Sequence, residues 1–124
     1  MNFQKDLKII DSFIGRKCER TLACNSLKIR FGEKTPYIWI DPPWSFEKNQ
    51  TKVTASIEYP EDENEFTKWS AALDPLNETI FESFKYSVED GLLLNFINGY
   101  SLHAPTTLEA IDEDDFYNHW YASE

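Results

Sequence analysis

The sequence predicts an α+β domain in which an antiparallel sheet of about six strands, built from two similar three-strand units, packs against two or three helices. Three observations predict it. Short runs with strict apolar and polar alternation recur along the chain, as where Leu27, Ile29 and Phe31 alternate with Lys28 and Arg30. Apolar residues at helical spacing appear near the start, in the middle and near the end. At 124 residues, with 41% hydrophobic and 15% aromatic content, the chain has the buried area for one core and reads as a single domain over residues 1 to 124.

Each element follows from its local pattern. Phe3, Leu7, Ile10 and Ile14 share one helical face, and Gly15 follows as a stop. Residues 17 to 23 read as a strand, Asn25-Ser26 as a turn and residues 27 to 31 as a second strand. Residues 32 to 36 make the next turn before a third strand, Tyr37 to Ile40. Residues 53 to 59 read as a further strand or extended edge that Pro60 ends. Glu61, Asp62 and Glu63 then sit where a helix start favours negative charge, with Phe66, Trp69 and Leu73 on one face and Pro75 as the stop. Residues 79 to 88, 92 to 96 and 100 to 104 read as three more strands, with turns at Glu89-Asp90-Gly91 and Asn98-Gly99. Asp112, Glu113, Asp114 and Asp115 offer the cap and first turn of a closing helix that carries Phe116, Tyr117, Trp120 and Tyr121.

The two halves resemble each other. Leu27, Ile29 and Phe31 correspond to Leu92, Leu94 and Phe96, each followed by a glycine-bearing turn, a second strand and a proline-bearing exit. Asp41-Pro42-Pro43 takes the place of Ala104-Pro105. Proline ends a strand because it donates no ladder hydrogen bond, so this exit has an architectural explanation.

Charge divides the chain differently. Residues 1 to 52 carry ten Lys/Arg and six Asp/Glu, a balance of +4, whereas residues 53 to 124 carry two and sixteen, a balance of -14. Such an acidic half repels phosphate backbones and favours a basic protein surface, which argues against a nucleic-acid partner. No stretch of 18 apolar residues occurs, and Lys5 and Asp6 stand where a signal peptide needs its apolar region, so the expectation is a cytoplasmic protein without a membrane partner. Cys18 and Cys24 read as reduced thiols, with no ligand set at zinc spacing.

Asp41-Pro42-Pro43-Trp44 resembles the catalytic signature of the N6-adenine methyltransferases. A methyltransferase also needs a cofactor-binding α/β domain with a glycine-rich loop, and this chain has four glycines and no Gly-x-Gly. Only His103 and His119 supply a base near neutral pH. His119 follows Asp114 and Asp115 at helical spacing, which reads as a helix-surface ion pair. No catalytic, cofactor or metal residues are assigned, and the expectation is a protein that is not an enzyme.

Gly15-Arg16, Ile40 to Trp44, Asp90-Gly91, Leu92, Leu94, Phe96, Gly99 and Trp120 together resemble the pattern of a family of small, uncharacterised bacterial proteins. Members of this kind occur among the immunity proteins of contact-dependent growth inhibition and other polymorphic toxin systems. The glutamate that often precedes the closing tryptophan in that family is replaced here by Tyr117-Asn118-His119. The resemblance implies a partner, the C-terminal domain of a cognate toxin, with a nuclease bearing a basic cleft as the expected type. The residues expected to meet it are Glu61, Asp62, Glu63, Glu65 and Trp69, with Asp112, Glu113, Asp114, Asp115, Tyr117 and Trp120. The alternatives are a small enzyme or nucleotide-related binding protein using Asp41 and His103, or a structural homodimer paired through a strand edge. Monomer and homodimer both remain open.

Overall fold

Each three-strand unit has one apolar face, and the two faces cover each other. A computed structural model describes residues 4–106 and 119–124. In chain order it contains α1 (Gln4–Asp11), β1 (Glu19–Ala23), β2 (Ser26–Arg30), β3 (Tyr37–Ile40), β4 (Ser45–Lys48) and β5 (Thr51–Ala55). A 3-10 turn at Ser56–Glu58 leads to α2 (Glu63–Ala71), and a second at Asp74–Leu76 leads to β6 (Phe81–Ser87), β7 (Gly91–Phe96), β8 (Tyr100–Ala104) and β9 (Trp120–Ser123).

The class is α+β, but the strands form two antiparallel sheets rather than one. The first has four strands in the order β1-β2-β3-β9, and the second has five in the order β5-β4-β8-β7-β6. Leu27, Ile29, Ile38 and Ile40 from the first share one buried cluster with Leu92, Leu94, Phe96 and Leu102 from the second. Sheet-on-sheet packing is the efficient solution here. Helices of eight and nine residues, about 12–14 Å long, are too short to cover a single six-stranded sheet.

The two expected units are both present as meanders, β1-β2-β3 and β6-β7-β8. Each then passes its next strand to the other. The chain leaves β3 through Asp41 to Trp44 and enters the second sheet as β4, which pairs with β8 in the register Phe46 to Leu102. It returns to the first sheet as β9, which pairs with β3 in the register Ile38 to Ala122 and Ile40 to Trp120. The chain before β1 also pairs with the chain before β6. Cys18 N donates to Thr79 O at 2.9 Å, and Phe81 N donates to Arg16 O at 3.0 Å.

Four local expectations are corrected. Trp120 and Tyr121 lie in β9, not on a helix, and burial alternates along this strand with Trp120 and Ala122 inside. The expected cap residues Asp112, Glu113, Asp114 and Asp115, and Tyr117, lie outside the described residues. β4 was not expected, because its hairpin turn contains no glycine: Asn49 and Gln50 themselves take φ of 50° and 71°. The strand expected over 53 to 59 is instead β5 followed by the Ser56–Glu58 turn. α2 ends at Ala71, ahead of Pro75. Its start is as read, since the Asp62 carboxylate accepts from Asn64 N at 2.7 Å and Glu65 N at 3.3 Å.

Candidate functional site

Asp41 and its neighbours build the crossing between the sheets. The Asp41 amide donates to His119 O at 2.7 Å, which ties the exit of β3 to the entry of β9. Its Oδ1 accepts from Ser26 Oγ and from Trp39 Nε1, both at 2.7 Å. Trp44 then enters the core: its amide donates to Ser56 Oγ at 2.9 Å and its indole Nε1 to Asn25 O at 2.7 Å. The ring lies 5.9 Å from that of Trp69. In this arrangement the carboxylate holds protein groups and the ring fills the core.

His119 belongs to the same crossing and is buried, so the expected helix-surface ion pair is corrected. Its Nε2 donates to Pro43 O at 3.0 Å, which fixes the proton on that nitrogen in the neutral ring because a carbonyl only accepts. Burial lowers its pKa, while the Pro43 hydrogen bond and the Asp41 charge act more weakly in the other direction. The unfolded chain therefore takes a proton first. This contribution to stability is complete above the ordinary value of 6.5 and is lost progressively as pH falls below it. Urea midpoints at about pH 7.5 and about pH 5.5 are expected to fall further for the native chain than for His119→Gln. Equal falls would contradict this.

Asp41 and His103 do not share a site. Asp41 follows β3 and is engaged by first-sheet partners, whereas His103 lies on β8 with Nε2 donating to Asp90 O at 2.7 Å. Among the described residues, neither histidine hydrogen-bonds a serine or cysteine side chain, and no three His, Cys, Asp or Glu converge on a metal position. Burial pushes the Cys18 thiol up to about 12, with the Glu19 charge adding to it, which removes its nucleophilic form near neutral pH.

The expected partner-binding residues divide sharply. Glu61, Asp62, Glu63 and Glu65 are exposed around the start of α2. Trp69 and Trp120 are buried: Trp69 packs on Trp44 and donates to Ala55 O at 3.3 Å, and the Trp120 ring centroid lies 5.7 Å from that of Tyr86. Both indoles are more stable inside the core than at a wet surface.

Two surfaces were missed. The first joins the acidic stretch: Val53, Ile57 and Tyr59 are 39%, 90% and 37% exposed within seven positions. The exposed carboxylates Glu58, Glu61, Asp62, Glu63 and Glu65 lie beside them in the chain, with Glu58 paired to Lys52 at 2.9 Å and Glu65 to Lys68 at 3.7 Å. Apolar and polar residues alternate unbroken from Val53 to Tyr59, so nothing in the sequence marked the turn that exposes Ile57. The second is the outer face of the first sheet, where Trp39 stacks on Tyr121 at 6.4 Å and Lys28 Nζ sits 4.3 Å from the Tyr37 ring centre. A hydrogen bond with Tyr37, reinforced by partial burial, pushes the Tyr121 hydroxyl up to about 12. These side chains satisfy one another.

Comparison with family models, with curated proteins and with solved structures finds no match. Among the described residues, no helix is long and apolar enough to cross a membrane.

Proposed function

We propose that this chain is a non-catalytic binding protein, an immunity protein that neutralises the C-terminal domain of a cognate bacterial toxin. The observation that carries the reading is three exposed apolar side chains within seven positions, Val53, Ile57 and Tyr59, followed directly in the chain by the exposed carboxylates Glu61, Asp62, Glu63 and Glu65. An apolar centre that a partner desolvates, surrounded by charge that orients the encounter, is the anatomy of a protein-binding surface. The sign of these carboxylates selects a basic partner, such as a nuclease cleft. Glu61 and Glu63 make no ion pair among the described residues, so their charge is free to act outward.

The chain is expected to co-purify with the polypeptide encoded immediately upstream of it. Ile57→Asp is expected to weaken that complex by about tenfold or more, chiefly through faster dissociation. Glu61→Lys with Glu63→Lys is expected to slow association and flatten its salt dependence. Unchanged kinetics in both variants would remove this surface from the interface.

A further inference from the structure

The outer face of the second sheet holds a groove of about 750 Å³, within the usual range of small-ligand sites. Lys85 and Glu47 lie at opposite sides of it, and Asp90 also lines it from the β6–β7 turn. Lys85 on β6 faces Leu93 on β7, which faces His103 on β8, while Glu47 on β4 faces Ser101, which faces Asn95. Neither Lys85 nor Glu47 forms an ion pair among the described residues. This is unexpected for both. Lys85 is one of two cations in a half that carries sixteen acidic residues, and the other, Lys68, is paired with Glu65. Lys52, directly across the ladder from Glu47, turns instead to Glu58.

The floor between them is matched to a peptide group. The proton on His103 Nε2 is committed to Asp90 O, which leaves Nδ1 of the neutral ring as an acceptor for an amide N–H. Asn95 spends one amide hydrogen on Ser83 Oγ at 3.3 Å and keeps a second donor, and the Ser101 hydroxyl is a further donor for a carbonyl. Leu93 supplies an apolar centre.

The geometry points to a binding site for a short zwitterionic peptide, with its carboxylate at Lys85, its ammonium at Glu47 and a peptide N–H at His103. Three strand spacings of about 4.8 Å separate the backbones of β6 and β4. Their rows stand two residues apart along the strands, so the backbones of Lys85 and Glu47 are about 16 Å apart, a gap that two long side chains and a peptide of two to three extended residues at ~3.3 Å each can span. This site is independent of the apolar cluster at Ile57 and goes beyond the toxin-binding reading.

Titrating the full chain with trialanine, its N-acetyl form and its C-terminal amide tests this without any variant. The resonances of Leu93, Asn95, Ser101 and His103 are expected to shift with trialanine, and blocking either end is expected to weaken binding about tenfold. Lys85→Met should abolish the difference between acid and amide. Glu47→Gln should abolish the difference between free and acetylated amine. Equal binding of all three peptides, or no shift with trialanine on the order of 10 mM, would overturn the proposal.

Discussion

Trp44→Ala is expected to cost about 3–5 kcal/mol of folding stability, read as a shift of the urea midpoint by far-ultraviolet circular dichroism. The side chain is almost completely buried, and its indole N–H donates to the Asn25 carbonyl in the β1–β2 turn. Truncation leaves a cavity against Trp69 and strands that carbonyl away from its donor, and the two losses reinforce each other. Asp41→Ala removes the acceptor of two hydrogen bonds, from Ser26 and Trp39, and is expected to cost less, about 1–3 kcal/mol. The order of the two effects follows from architecture, because Trp44 fills the core where the chain changes sheets and Asp41 braces the turn leading to it. A Trp44→Ala chain within about 1 kcal/mol of the native one would contradict this account.

Ending the chain at residue 118 is expected to have the larger effect, the loss of a cooperative unfolding transition. β9 is the last strand of the sequence, yet it completes the sheet of the first meander. Its removal takes Trp120 and Ala122 out of the core and frees the ladder edge of β3 along Tyr37, Ile38, Trp39 and Ile40. It also removes the carbonyl of His119 that accepts from Asp41, and the Ala122 amide that donates to Asp6 at 3.2 Å in α1. A buried edge left unpaired costs several backbone hydrogen bonds as well as the apolar area. Retention of a sharp urea transition by the shortened chain would show that the strand exchange contributes little.

Legibility in the sequence followed the range of the interactions involved. Alternation in β2, β7 and β8 was visible because each strand has one buried face, and the likeness of the two meanders came with it. The start of α2 was visible because negative charge gathers at a helix N-terminus within a few residues, although the capping role of Asp62 itself was not read. The partition into two sheets was not, since nothing local distinguishes a strand that pairs beside its predecessor from one that crosses to the opposite layer. β4 and β9 are the two crossing strands, four residues each, and neither has a glycine turn or a long enough run to declare itself. The site was legible in part for the same reason. Exposed carboxylates around the start of α2 were read from composition, whereas the burial of Trp69 and Trp120 and the exposure of Ile57 depend on which elements pack over them.

The apparent catalytic signature at Asp41 also changes meaning through context. Its side chain is bound by Ser26 and Trp39, and its neighbour Trp44 is bound by Asn25 and Ser56, so all four partners belong to the protein's own scaffold. A short motif carries chemistry only within the fold that leaves its atoms free.

The proposed toxin-neutralising role is tested most directly by titrating this protein into the isolated toxin domain encoded immediately upstream and measuring that domain's residual activity. The account predicts that activity falls to background near one equivalent of the native chain, with Ile57→Asp requiring a large excess. Full toxin activity in the presence of excess native protein would contradict it.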